Sequence, residues 1–262
     1  MYTLILSPHL DDALLSNCHF LTSYNGCVII ATIFTKEINH KFTGDYGCYA
    51  NLKERKIEDN NAISNLKQMN KNIKIITLYL NLPDHLFRSY NSNITNLIYE
   101  EFNNLNSKYL IDTVYCPLGI GDHPDHLLTY EMCKKIFDND KIFYYLDYPY
   151  CNLKLNVFKR FNYLNLRNNI KLTFNDLIEY YYHPIYRSCP NFIRLFKIIN
   201  CTFYYLFQGI YNSQITIKKV DYFKKLKIIS NYKTQIIPIF GSLQNLKSNL
   251  LEFNQEFYLK IN

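Results

Sequence analysis

The sequence predicts an α/β protein, a three-layer sandwich whose mainly parallel sheet carries helices on both faces. Three observations point there. Up to residue 150, short apolar runs alternate with longer helix-like segments, the rhythm of strands joined by crossover helices. Such crossovers are right-handed almost without exception, which fixes the winding. The chain has 262 residues, 48% of them hydrophobic, an ordinary globular composition with room for one large core. The expectation is therefore a Rossmann-like core over 1–150, with a helix-rich C-terminal extension over 151–262 packed on it rather than folding as an independent domain.

The elements follow in order. Thr3 to Ser7 is a short apolar run and reads as the first strand. Ala13 to Tyr24 reads as a helix, with Leu14, Leu15, Cys18 and Leu21 on one face. Cys27 to Thr35 is rich in Val, Ile and Thr and reads as the second strand. Residues 36–49 are polar, contain Gly44 and Gly47, and read as a loop. Asn51 to Met69 is a charged helix carrying Ile57, Ala62, Ile63 and Leu66. Ile73 to Leu80 is the third strand, and Asn81-Leu82-Pro83-Asp84 turns the chain toward a helix from about Ile94 to Leu105. Asp112 to Leu118 is the fourth strand. After the loop from Gly119 to His126 comes a helix to about Phe137, then a fifth strand from Ile142 to Leu146. Beyond Tyr150 the rhythm fades into aromatic, mostly helical segments poor in glycine.

Composition narrows the function classes. The net charge of +7 suits an acidic partner, but the basic residues are dispersed, with only short pairs such as Lys134-Lys135, so nucleic-acid binding is not expected. The eight cysteines form no CxxC pair, and several lie in apolar runs. Together with an opening Met-Tyr-Thr-Leu-Ile-Leu that lacks a charged region and cleavage site, they suggest free thiols and a cytoplasmic protein. Phe192 to Tyr211 is apolar and aromatic, but Arg194, Lys197 and Gln208 argue against a transmembrane helix. A buried helix, a homo-oligomer face and a membrane-surface contact through 192–211 are the readings of that stretch. His19, His40, His85 and His183 stand alone and read as ordinary surface or core histidines. Tyr180-Tyr181-Tyr182 reads as packing in a chain with 25 tyrosines.

Two polar clusters carry the chemistry. Ligands of open α/β sheets bind beyond the carboxyl ends of the strands. The first strand ends at His9-Leu10-Asp11-Asp12 and the fourth at a loop holding His123, Asp125 and His126. The clusters converge if those strands are neighbours. His9, Asp12 and His126 then make a His-His-Asp set of the kind that holds a catalytic metal with an open position. Asp11 points away from Asp12 and is placed to act as general base. His123 is placed to stabilise an oxyanion or protonate a leaving amine, and Asp125 to orient a neighbouring histidine. Either cluster alone would serve as a helix cap, Asp11 or Asp12 for one helix and Asp122 or Asp125 for the other. Both together, at equivalent strand ends, argue for a site.

The motifs Pro8-His9-Leu10-Asp11-Asp12-Ala13 and His123-Pro124-Asp125-His126 resemble those of the PIG-L/LmbE family of zinc-dependent N-deacetylases. Arg55, Glu58, Ala62 and Leu66 resemble an Arg-x-x-Glu helix of that family. Asn81 to Arg88, Asp147-Tyr148-Pro149-Tyr150 and Tyr232-Lys233-Thr234-Gln235 look like segments of one subgroup. The resemblance implies one zinc on His9, Asp12 and His126, with Asp11 as base, His123 as electrophilic partner and Arg55 as a substrate contact; in the sequence Arg55 and Arg88 read equally as substrate contacts and as salt-bridge partners. It also implies removal of an N-acetyl group from an amino sugar or glycoconjugate. Leu10 and Ala13 replace the usual Pro and Glu, and Gly121 stands where some members have a tyrosine. Two alternatives remain. One is a metal phosphoesterase, which needs two metals and more ligands than these two loops offer. The other is a non-catalytic glycan- or partner-binding member of the fold.

Overall fold

The structure is a computed structural model that describes residues 1–37, 51–88, 93–167, 170–183, 186, 190–204 and 213–261, with backbone alone at 196, 197 and 200–204. His40, Cys48, Cys189, most of the 36–49 loop and the end of the 192–211 stretch lie outside the described residues.

The first strand, β1 (Tyr2–Ser7), leads into two short helices, α1 (Asp12–Ser16) and α2 (Cys18–Ser23). The single helix expected over 13–24 is interrupted at Asn17, whose side-chain amide donates back to the Ala13 carbonyl at 3.1 Å. Then come β2 (Gly26–Thr32), α3 (Leu52–Met69), β3 (Ile73–Tyr79), α4 (Ile94–Lys108), β4 (Ile111–Pro117), α5 (Pro124–Ile136) and β5 (Ile142–Tyr145). These match the expected elements to within a few residues at each end. The C-terminal part holds α6 (Lys154–Tyr163), α7 (Phe174–Tyr182), α8 (Asn191–Tyr204), β6 (Ser213–Lys219), α9 (Tyr222–Ile229), α10 (Lys233–Phe240), α11 (Leu243–Glu252) and β7 (Gln255–Ile261).

The sheet has seven strands in the order β3-β2-β1-β4-β5-β7-β6. The β1, β2, β3, β4 and β5 pairings are parallel; β7 joins β5 antiparallel, and β6 joins β7 antiparallel at the edge. The expectation of a mainly parallel sheet holds, but the C-terminal part is less purely helical than expected, since it contributes two strands to that same sheet. Their alternation was present in Ile215-Thr216-Ile217 and in Phe257, Leu259 and Ile261, a period of two within a helix-dominated region.

Successive β1 residues serve opposite layers, as a strand's period of two requires. Leu4 and Leu6 pack with Ile98, Phe102 and Leu105 of α4 and Met132 and Cys133 of α5. Ile5 packs with Leu14, Leu21, Ile63, Leu66 and Ile228 on the other face. Burial on both faces makes β1 the centre of the molecule. Chain connections run to opposite sides of it, to β2 and to β4, so its carboxyl end lies at the switch point where such sheets bind ligands. Among the described residues, no helix is long and apolar enough to cross a membrane.

Candidate metal centre

Because β1 and β4 are hydrogen-bonded neighbours, the two clusters meet. His9 through Asp12 follow β1, and His123 through His126 open α5. Neither cluster behaves as a simple cap. Asp11 occupies the N-cap position of α1 but makes no capping bond. Instead Ser7 Oγ accepts from the Ala13 N–H at 3.0 Å, and Asp12 Oδ2 accepts from the His9 N–H at 2.8 Å. At α5 the cap is the His123 ring, whose Nδ1 accepts from the Asp125 N–H at 3.3 Å. Pro124 stands at the first position, where its fixed φ and missing N–H cost nothing. That bond leaves the His123 proton on Nε2.

Asp12 Oδ2 lies 3.2 Å from His9 Nδ1 and 3.2 Å from His126 Nε2. The opposite nitrogen of each ring is held by a carboxylate. His9 Nε2 reaches Asp125 Oδ2 at 3.1 Å and Asp84 Oδ2 at 3.3 Å, and His126 Nδ1 reaches Asp147 Oδ1 at 2.6 Å. With a carboxylate behind each ring, His9 Nδ1 and His126 Nε2 both face Asp12 Oδ2, where a metal ion would take the place of the shared proton. His123 completes the ring of imidazoles: His9, His123 and His126 each offer a nitrogen within 4.8 Å of the others.

This donor set fits a zinc-like ion. Two imidazole nitrogens and one carboxylate oxygen are borderline ligands in the number of an open catalytic site. The carboxylates behind them are the groups that fix tautomer and raise ligand basicity. Charge agrees, because buried Asp11, Asp12, Asp84, Asp125 and Asp147 face Arg55 and Arg88 as their permanent cations nearby. Burial lowers His9 and His126, yet their carboxylate neighbours override it. His9 is held well above its usual range, and His126 is raised to about 10. Burial raises Asp12, but His126 and His9 bring it well below the usual carboxylate value. Burial and the adjacent Asp12 push Asp11 up, against the pull of Arg55. His123 is pressed well down by burial and by the charges of His9 and His126, so its ring is neutral.

The predicted site residues all enter this cluster, with two qualifications. Arg55, expected to meet substrate, is 5% exposed and sets Nη2 3.4 Å from Asp11 Oδ1. Arg88, expected in the same role, hydrogen-bonds Asp125 Oδ1 and lies over the Phe34 ring at 5.1 Å. Three further members escaped the sequence reading. Asp84 and His85 come from the turn after β3. His85, which reads in the sequence as a solitary histidine, sets its ring 4.5 Å from that of His123. Asp147 follows β5, and besides His126 it takes the N–H groups of Gly119 and Ile120 on Oδ2 at 2.9 and 2.8 Å. Both Asp84 and Asp147 lie in segments that resemble the family, the available signal for them.

Gly121 has φ +91°, and a Cβ there would fall 2.4 Å from the Tyr150 ring. Tyr150 thus fills the space a side chain at 121 would take, its ring 6.1 Å from that of His126.

No family model and no curated protein matches the sequence. Solved structures do. The A40926 pseudoaglycone deacetylase Dbv21 aligns with a TM-score of 0.62 at 17% identity, over 99% of this chain and 96% of its own. The zinc inhibited form of teicoplanin deacetylase Orf2 aligns with a TM-score of 0.64 at 14% identity, over 100% and 99%. A deacetylase–teicoplanin complex from the teicoplanin pathway gives 0.62 at 13%, over 100% and 99%. At these identities the shared property is the fold.

Proposed function

We propose that this chain is a zinc-dependent hydrolase of the PIG-L/LmbE kind that removes an N-acetyl group from an amino sugar or glycoconjugate. One observation carries the reading: His9 Nδ1 and His126 Nε2 both face Asp12 Oδ2 at 3.2 Å, and the far nitrogen of each ring is held by another carboxylate. The fold shared with glycopeptide deacetylases supports it.

A zinc ion held by His9, Asp12 and His126 supplies Lewis acidity toward a water and the acyl oxygen. The protein's own groups do the rest. Asp11, beside the ligand Asp12 but turned to Arg55, accepts the proton of the attacking water. Arg55 holds that carboxylate in place, and Arg88 does the same for Asp125, so both arginines act through these acids. The neutral His123 ring donates from Nε2 to the oxygen that gains charge as water adds to the carbonyl. When the C–N bond breaks, Asp11 passes to the amine the proton that it took from the water, and acetate and the free amine leave.

The test is acetate release from N-acetylglucosamine derivatives. Asp11→Asn should lower turnover by a factor on the order of 10² or more while zinc content stays at the wild-type level. Unchanged turnover would remove Asp11 as the base. No acetate release by the zinc-loaded wild type across an N-acetyl sugar panel would favour a binding module.

A further inference from the structure

One face of α6 reaches the loops around the metal centre. Asn156 donates to the Tyr150 carbonyl at 2.9 Å, Lys159 pairs with Asp122, and Arg160 donates from Nε to the Leu118 carbonyl at 2.7 Å. Spacings of three and four residues put these side chains together on the helix. Arg160 differs from other buried cations of the chain. Arg55 and Lys225 each meet a carboxylate. Arg160 is 3% exposed and forms no such pair among the described residues, where its Nη2 also has no hydrogen-bond partner. Its guanidinium lies over the Tyr130 and Tyr163 rings, at 4.6 and 5.2 Å.

A single peptide group joins this charge to the site. The carbonyl between Leu118 and Gly119 takes the Arg160 bond, and the N–H of that same peptide donates to Asp147 Oδ2 at 2.9 Å. Asp147 Oδ1 in turn holds His126 Nδ1 at 2.6 Å, while His126 Nε2 faces Asp12. A donor on the carbonyl polarises the amide and strengthens the bond its N–H gives. Gly119 lets the groups approach: it has φ +83°, and a Cβ there would fall 2.8 Å from Leu127 Cδ2 and 3.2 Å from Arg160 Nη2. We infer that Arg160 is a positioning residue for the metal centre, its charge acting on Asp147 through the Leu118–Gly119 peptide and so holding His126 in its ligating arrangement. This role rests on the metal centre proposed above. It makes zinc affinity depend on a cation supplied by the C-terminal part of the chain.

Zinc affinity, measured by competition with a chromophoric chelator, tests this, with the urea midpoint of the metal-free protein as the check on folding. Arg160→Gln sets an amide N–H where Nε stood, so the donor stays and the charge goes. Zinc should then bind about 10-fold more weakly, the lower end of the scale for groups behind a ligand. Arg160→Lys keeps the charge and should recover most of that loss. In an Asp147→Asn background, Arg160→Gln should cost less than about 2-fold, because the group it acts on is gone. Unchanged affinity in Arg160→Gln, an equal loss with and without Asp147, or a loss in Arg160→Lys as large as in Arg160→Gln would each overturn the role and leave the metal centre standing. If Arg160→Gln does not fold, Arg160→Lys decides: a tenfold loss there overturns the role. A wild type that binds no zinc would bring down the metal centre itself, and this role with it.

Discussion

Asp147 touches no expected ligand atom, yet it sets which nitrogen of His126 faces the site. Its Oδ2 is fixed by two backbone N–H groups of the Gly119–Ile120 turn, and its Oδ1 fixes the ring. Asp147→Asn keeps the shape but lets an amide N–H meet the ring, which favours the wrong tautomer. Zinc affinity should fall about 10–100-fold, measured by competition with a chromophoric chelator, with little change in the unfolding midpoint of the metal-free protein. At this scale the sequence was legible where residue type and strand end coincide, as at His9, Asp11, Asp12, His123, Asp125 and His126. It was not legible at Asp84, His85 and Asp147, because a supporting carboxylate is defined by the nitrogen it faces. That depends on how three separate loops fold together.

Among the elements, α3 departs most from its apolar pattern. Ile57, one of its apolar residues, is 55% exposed, while Arg55, Glu58 and Asp59 are buried beside Ala62, Ile63 and Leu66. Spacings of three and four residues put these charges on one stripe. The C-terminal segment answers them. Tyr232 donates to Asp59 at 2.7 Å, and the Thr234 hydroxyl and N–H donate to Glu58 at 2.6 and 3.0 Å. The segments resembling Arg-x-x-Glu and Tyr-Lys-Thr-Gln are thus one interface, and they place Arg55 against Asp11. Burial pushes the Asp59 carboxyl up to about 7, although Tyr232 and Tyr79 pull it down. The folded chain therefore holds this proton more tightly than the unfolded one. The stabilisation is complete below the ordinary carboxylate value and is lost as pH rises toward about 7. Urea unfolding across that range should show wild type losing more stability than Asp59→Asn, by at most about 3–4 kcal/mol. Equal slopes would refute the assignment. The helices of the core were legible from period and length; β6 and β7 were not, because their short period-two runs lie among helix-like segments.

Across the whole molecule, the C-terminal part is tied in by charge as well as by strand pairing. Glu256 of β7 is 3% exposed and accepts from the Cys18 and His19 N–H groups at the start of α2, both at 2.9 Å. Lys225 of α9, 1% exposed, sets Nζ 3.1 Å from Glu256 Oε1 and lies over the Tyr148 ring. Lys225→Met leaves a buried carboxylate without its cation and should cost about 3 kcal/mol in urea unfolding. Adding Glu256→Gln should recover part of that loss. An unchanged single variant would show the pair to be energetically idle.

Glu256 also imposes an order on biosynthesis. Cys18 and Glu256 are 238 residues apart. At roughly 5–20 residues per second, translation takes on the order of 12–50 s to cover that distance. Throughout that interval the nascent chain already carries His9 and Asp12 but lacks the acid that caps the following helix and the strand that closes the sheet's far side. The loop from His9 to Asp12 thus gains the cap of the helix that follows it only once Glu256 has been made.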